Sequence, residues 1–291
     1  MPKVVLVNSL YELESWCTSI IAKMQNGTII HSRNLDFDNA SLMRTITYTA
    51  TFERDGKYLF DATMFAGTVG IYTGMRAGAF SISENQRQFN EQESGLIENI
   101  LMLFSGYSEI SWLIRETLTV CSDFDCAYYK LKDDPVCALG YIILAGTHGD
   151  DGVVISRNRF DSAHRTWLNS SINQWFIVQT NNDHWDTGCY NRCAMAVERM
   201  IETGQQNISP VTIRSNVLYL FPNENYATIY NTEYTPVSGA KDTVPLTYTS
   251  TSEDDGRTLV MSSRSTDRPF SMGQRLRELN KVYKQIKSTF N

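Results

Sequence analysis

Trp16-Cys17-Thr18-Ser19-Ile20-Ile21-Ala22, then Asn26-Gly27, then His31-Ser32-Arg33-Asn34-Leu35-Asp36 is the stretch on which the reading of this chain turns. Asn-Gly between two alternating apolar runs is the strongest short-range signal for a two-residue hairpin turn. With Asn26 and Gly27 as the loop, Gln25 pairs with Thr28; that register sets Cys17 opposite Asp36 and puts Arg33 three residues back along the partner strand. A thiol, a guanidinium and a carboxylate then converge near one strand end, an arrangement suited to a nucleophile. Two plainer readings compete. A cysteine in a strand commonly serves as a small buried hydrophobe, and Arg33 with Asp36 reads equally as a surface ion pair contributing little. The histidines His31, His148, His164 and His184 give no local Cys–His dyad, although the fold can assemble such a pair.

Composition narrows the class. At 291 residues, 42% hydrophobic and 20% charged, the chain has an ordinary globular balance and can bury a substantial core. A net charge of −6 without a basic cluster argues against nucleic acid as a partner. No apolar run nears the roughly 18 residues of a transmembrane helix, and Met1-Pro2-Lys3-Val4-Val5-Leu6-Val7 is too short for a signal peptide. Strand-like alternation over residues 18–22, 28–31, 44–54, 58–65 and 79–83 is followed by helical periodicity over 95–104 and 109–120. A second group of strands at 141–145, 153–156 and 175–180 precedes helices at 192–202 and 210–220 and a strand at 227–230. Repeated runs of strands then helices fit an α+β fold with two packed sheets flanked by helices. Residues 242–266 read as strands with polar loops or a flexible segment, and 272–290 as a helix. The five cysteines besides Cys17 fit no tidy disulfide framework. Helical spacing explains Cys189 and Cys193, since no second pair or histidine cluster completes a zinc site. No metal or cofactor is implied.

Several separated motifs resemble one family. They are Cys17-Thr18-Ser19-Ile20, Arg33-Asn34-Leu35-Asp36, Phe65-Ala66-Gly67-Thr68-Val69-Gly70, Ser111-Trp112-Leu113-Ile114-Arg115, Gly152-Val153-Val154-Ile155-Ser156-Arg157-Asn158-Arg159 and Thr180-Asn181-Asn182-Asp183-His184-Trp185. Their order resembles that of acid ceramidases and N-acylethanolamine acid amidases, and the likeness covers roughly Tyr11 to Thr235. That family comprises N-terminal-nucleophile cysteine amidases, related more distantly to bile salt (choloylglycine) hydrolases. The resemblance implies a four-layer αββα sandwich and autocatalytic cleavage of the Trp16–Cys17 bond. It also implies that the freed α-amine of Cys17 serves the thiol's own proton transfer. An α-amine titrates near neutrality, below a lysine, so no histidine is needed. By the same resemblance Asp36 holds that amine, Arg33 orients or stabilises the thiolate and the substrate carbonyl, and Asn181 donates to the oxyanion. The family carries two adjacent arginines after an acidic pair; here Cys189-Tyr190-Asn191-Arg192-Cys193 offers Arg192 alone. Gln86 stands where the family has a glutamate, which removes a titratable group, and Glu84 would replace it only in a different register.

The implied substrate is a fatty-acid amide of an amino alcohol, hydrolysed through a thioester, with ceramide and N-acylethanolamine both open. A catalytically silent relative that does not mature, or an acyltransferase on the same scaffold, are the alternatives. Met64, Phe65, Met75, Trp112 and Trp185 are candidates for an apolar acyl slot and equally for plain core packing. The family's signal peptide and pro-segment lead to a division into 1–16 (pro-segment remnant), 17–240 (catalytic domain) and 241–291 (C-terminal extension). The same resemblance implies a pro-segment-derived partner subunit and a lysosomal or secretory location. It also leaves a place for peripheral membrane contact. Glycosylation tripeptides begin at Asn26, Asn39, Asn169 and Asn207.

Overall fold

The computed structural model describes residues 15–37, 39–87 and 96–246. Strands β1 (Ser15–Lys23) and β2 (Ile29–Phe37) form the hairpin that Asn26-Gly27 predicts, but one residue out of the predicted register. Cys17 pairs with Leu35, and Asp36 with Trp16. The loop has three residues rather than two: Met24 N–H donates to Thr28 O at 2.8 Å, and Gly27 N–H donates to Met24 O at 3.0 Å. Gly27 sits at φ +85°, the left-handed conformation that closes a type I turn with a glycine bulge. Burial selects this register. Ala22 faces Ile30, and both join Ile20 against helices, while Ile21 and Ile29 turn to the opposite side. Because side chains alternate along a strand, a one-residue slip exchanges every cross-strand neighbour. Arg33 therefore shares a face with Cys17, and Asp36 lies on the other.

A seven-stranded antiparallel meander runs β3 (Thr47–Arg54), β4 (Lys57–Phe65), β5 (Thr73–Arg76), β6 (Phe80–Gln86), β7 (Gly140–Ala145), β8 (Gly152–Arg157) and β9 (Ser162–Trp167). The hairpin is the centre of a second, five-stranded sheet ordered β10 (Phe176–Gln179), β1, β2, β11 (Thr228–Thr235), β12 (Ala240–Pro245). β12 straddles the division placed at residue 240 and forms that sheet's edge.

Helices cover the two outer faces. After α1 (Ala40–Thr45) and α2 (Leu96–Phe104) come α3 (Ile110–Val120) and α4 (Phe124–Asp133). They bury Ile110, Leu113, Ile114, Leu118, Phe124, Ala127 and Leu131 against Phe60, Ala62, Ile82, Ile142 and Ile155 of the meander. After α5 (His184–Thr187), helix α6 (Arg192–Thr203) and the short α7 (Pro210–Ile213) cover the five-stranded sheet. There Cys193, Ala196, Met200 and Ile213 pack on Ile20, Ala22, Ile30 and Val178. The order helix, sheet, sheet, helix is the four-layer αββα sandwich.

Several local expectations are corrected. Residues 44 and 45 end α1 rather than begin a strand. The helix predicted over 210–220 breaks into α7 and one π-turn, Arg214–Leu218. α4 and β9 escape the apolar pattern because both are rich in polar residues. α4 is set by its cap, Asp123, which accepts the Cys126 N–H at 2.9 Å. Disulfides join Cys121 to Cys126 and Cys189 to Cys193, while Cys17 and Cys137 are buried thiols. Cys189 precedes α6, so its spacing from Cys193 closes a loop instead of repeating along a helix. The readings of residues 247–266 and 272–290 lie outside the described residues. Among those described, no helix is long and apolar enough to cross a membrane.

Candidate active site

Cys17 is fully buried, and contacts from two elements hold it. On the inter-sheet side, its Sγ accepts a hydrogen bond from Arg33 Nη2 at 2.7 Å. Arg33 Nη1 donates in turn to Tyr72 O at 2.8 Å and to Thr73 Oγ1 at 2.7 Å. Thr73 is itself 2.8 Å from Tyr230 Oη. Cys17 and Thr73 are strand residues and Tyr72 directly precedes β5, so the guanidinium is fixed from three positions in or beside the two sheets. The Cys17 backbone N–H donates to Asn181 Oδ1 at 2.9 Å, from the segment just after β10.

Asn181 is the junction of the site. Its Oδ1 also accepts from Arg192 Nη2 at 2.8 Å, and its Nδ2 donates to the backbone O of Gln86 at 2.7 Å. Because Gln86 anchors Asn181 through its main chain, the absent glutamate side chain is not needed for that contact. Glu84 cannot replace it: β6 alternation turns Glu84 toward the helix layer, away from the Ser83 and Asn85 side.

On the outer face of the hairpin, Arg192 Nη1 lies 3.2 Å from Asp36 Oδ2 and 3.4 Å from Thr18 Oγ1. Asn225 Nδ2 donates to the same carboxylate oxygen at 3.0 Å. Burial pushes the Asp36 carboxyl up, against the opposing pull of Arg192, Thr228, Asn225 and Arg33. Asp36 thus reaches the cysteine's backbone partner through Arg192 and does not stand opposite the thiol.

The histidines are engaged elsewhere. His31 places Nδ1 2.9 Å from Ser81 Oγ and Nε2 2.8 Å from Ser83 Oγ. Burial first, then Arg33, lowers it to about 3. His184 Nε2 is 3.0 Å from Thr180 Oγ1, and burial lowers this imidazole to about 4.

A supporting shell appears that sequence reasoning passes over. Asn85 accepts from Ser19 Oγ at 2.8 Å and donates to Gln179 O at 2.8 Å, pinning β6 to β1 and β10. Arg87 forks onto Asp183, with Nε–Oδ1 2.7 Å and Nη2–Oδ2 2.8 Å. Tyr141 Oη donates to the same carboxylate at 2.5 Å. Asn85 and Arg87 flank Gln86, and Asp183 follows Asn181 by two, so proximity to the quoted runs was the available signal.

The five acyl-slot candidates scatter. Phe65 joins the cluster containing Cys17, its ring 6.3 Å from Tyr72 and 6.2 Å from Tyr230. Met75 is buried on the face of β5 that carries Thr73. Met64 faces the other way, into the helix-covered core, because it alternates with Phe65. Trp112 is exposed on α3. Trp185 lies over the Arg87 guanidinium at 5.2 Å. A cleft of about 150 Å³ is lined by Trp16, Thr180, Asn181, Asn182, Tyr190, Asn191 and Arg192. The Trp16–Cys17 bond therefore lies beside this cleft, with Trp16 forming one wall.

No family model matches the chain. It is 40% identical over 231 residues to N-acylethanolamine-hydrolyzing acid amidase of Rattus norvegicus, covering 78% of this chain and 62% of that protein. It is 32% identical over 249 residues to acid ceramidase of Homo sapiens, covering 79% and 62% respectively. The chain thus spans somewhat under two thirds of the length of these relatives. The solved structure of a Caenorhabditis elegans N-acylethanolamine-hydrolyzing acid amidase ortholog superimposes with a TM-score of 0.70 at 33% identity, covering 79% of this chain and 100% of that one.

Proposed function

The chain belongs to the family of N-acylethanolamine-hydrolyzing acid amidases and acid ceramidases, and from that premise we propose that it is a lipid amide hydrolase with Cys17 as its N-terminal nucleophile. The observation that carries this reading is the double hold on Cys17: Arg33 on its sulfur and Asn181 on its backbone nitrogen, at a bond beside a small cleft. Maturation begins with attack of the Cys17 thiol on the Trp16 carbonyl, moving the acyl group from nitrogen to sulfur. Water then releases residues 1–16 and leaves a free α-amine on Cys17. In turnover that amine takes the thiol proton, the sulfur attacks the substrate amide, and the amine product departs. Water hydrolyses the remaining thioester.

Asp36 and Arg192 form the outer half of the site: once the amine is free, Asp36 and Asn181 are its anchoring acceptors, and Arg192 sets the spacing between them. Asn181 Nδ2 is the donor for the developing oxyanion, a contribution whose removal ordinarily costs about a hundredfold or more in rate. Phe65 and its aromatic neighbours receive the acyl chain, and the cleft, with Asn181, Asn182, Asn191 and Arg192 in its lining, receives the amine-bearing head. Two disulfides fit passage through the oxidising secretory pathway, which agrees with a lysosomal destination.

Intact-mass analysis of the purified chain tests the proposal, before and after incubation at about pH 4.5–5, below the histidine range. Loss of the residues before Cys17 from wild type, and not from Cys17→Ala, is the expected result, followed by release of fatty acid from an N-acylethanolamine or a ceramide. Turnover that survives Cys17→Ala would sink the assignment of the nucleophile.

A further inference from the structure

The contacts of Arg192 at its guanidinium end do not account for how its backbone is held. Helix α6 begins at Arg192 itself; the N-cap position, Asn191, gives no side-chain cap and sits at φ +51°. In place of a side-chain cap, the Cys193 N–H donates to Tyr190 O at 3.2 Å, and Asn182 Nδ2 donates to Gly188 O at 3.0 Å in the approach. From Trp185 to Asn191 every residue is exposed, so apolar burial does not fix the approach. The Cys189–Cys193 disulfide does: with Cα atoms 5.3 Å apart, it clips Tyr190-Asn191-Arg192 onto the first turn of α6. Its two ends differ. Cys193 is buried in the core beneath α6, its sulfur 3.6 Å from His184 Nδ1, and His184 contacts the residue preceding Asn181. Cys189 is exposed. Tyr190 and Asn191, inside the clipped loop, also wall the cleft.

We propose that the Cys189–Cys193 disulfide is a positioning device for Arg192, holding its guanidinium across Asp36 and Asn181, and that opening this bond by thiol exchange turns the site down. The inference rests on the roles given above to Arg192 and Asp36. In the exchange, a low-molecular-weight thiolate attacks the exposed Cys189 sulfur. The S–S bond breaks, and Cys193 leaves as a thiolate that takes up a proton. A second external thiolate attacks the mixed disulfide and frees Cys189, which is protonated. Two external thiols end as one disulfide, matching the one disulfide reduced.

The test uses the full chain carrying Cys17→Ala, which remains intact whatever the maturation chemistry, and follows the Asp36 carboxyl by ¹³C NMR against pH. Groups facing Asp36 are Arg192 from α6, Arg33 from its own strand, Thr228 from β11 and Asn225 from the loop before it; each opposes the upward push of burial. With Cys189→Ser/Cys193→Ser the Asp36 midpoint is expected to rise by about one pH unit, the scale of a charge partner moved out of hydrogen-bond range. Cys121→Ser/Cys126→Ser, which opens the disulfide between α3 and α4, should leave it in place. If the first variant does not fold, phosphine reduction of the folded Cys17→Ala/Cys121→Ser/Cys126→Ser chain opens the same bond and gives the same reading. An unmoved midpoint overturns the proposal, even where scission slows. In the cleaving chain, Cys189→Ser/Cys193→Ser is expected to slow Trp16–Cys17 scission about ten- to a hundredfold, as loss of positioning does. An unsubstituted chain that never cleaves would instead defeat the maturation reading and leave the NMR midpoint to decide this one.

Discussion

Arg33 and Arg192 each bring a guanidinium to the first residues of the hairpin, but from opposite faces and with different supports. Arg33 enters from the inter-sheet side, is 1% exposed, and is fixed by Tyr72, Thr73 and the Cys17 sulfur. Arg192 enters from the helix side, on a side chain 16% exposed, and the segment before it has a disulfide for its tether. One face is built of strand against strand, the other of a helix start against a strand. The groups are divided accordingly: the Cys17 thiol inside, the Asp36 carboxyl outside, with Asn181 touching both sides through the Cys17 N–H and Arg192.

The largest effects belong to the inner face. Arg33→Lys keeps a charge but not the planar fork that serves three acceptors at once, and is expected to cut scission and turnover by about 10²–10³-fold. Arg192→Lys, on the more exposed side, is expected to cost about tenfold, since a single ammonium can still face Asp36. Intact-mass time courses give both numbers. A larger loss from Arg192→Lys than from Arg33→Lys would break the comparison and place the rate-controlling charge outside.

The two faces also titrate in opposite senses. On the outer face Glu233, which accepts from Ser32 Oγ and has Arg214 Nε at 3.9 Å, is pushed from 4.5 up to about 8, chiefly by burial. A raised carboxyl means that the folded state holds its proton more tightly. The stabilisation is therefore complete below about pH 4.5 and is lost as pH rises through about 8. On the inner face His31 is pushed from 6.5 down to about 3, so its contribution is present above 6.5 and lost as pH falls toward 3. Glu233→Gln is accordingly expected to be more stable than wild type near pH 8, by on the order of 2–4 kcal/mol, and to lose that advantage by about pH 4.5. Urea melts at the two pH values measure it. A constant difference across the range would mean that Glu233 is not the group that titrates.

Much of this architecture was legible in the chain. Alternating apolar runs located the hairpin and most strands, and the spacing of Ile110, Leu113, Ile114 and Leu118 located α3. The separated motifs carried the four-layer arrangement and pointed to Cys17, Arg33, Asp36, Asn181 and Arg192, which the fold brings to one hairpin end. Cross-strand register was not legible, because Asn-Gly is compatible with a two-residue loop and with a three-residue loop bearing a glycine bulge. The side of the sheet taken by Asp36 depended on that choice. The Asn85 and Arg87–Asp183 shell was hidden for a related reason: its partners lie about ninety-five residues apart, 94 for Asn85–Gln179 and 96 for Arg87–Asp183, and only the packing of two sheets makes them neighbours. Met64 and Phe65 show the limit of composition, since both are apolar and buried, yet alternation alone decides which one meets Cys17.

The smallest expected effect is the sharpest check on what sets the register. Deleting Gln25 shortens the loop to Asn26-Gly27 between the same Met24 and Thr28, whose backbone groups are already bonded at 2.8 Å. Asn-Gly then becomes a two-residue type I′ turn, the connection best matched to strand twist. Cys17 stays opposite Leu35 because the pairs Ala22–Ile30 and Ile21–His31 are unchanged. The deletion variant should therefore cleave at Trp16–Cys17 within about twofold of wild type, as expected when the buried faces rather than the turn fix register. Were the turn in command and to keep its three-residue, glycine-bulge form, Met24-Asn26-Gly27 would become the loop, the strands would slip by one residue, Arg33 would leave the sulfur's face, and scission would fall by the same 10²–10³-fold factor expected, to order of magnitude, for Arg33→Lys.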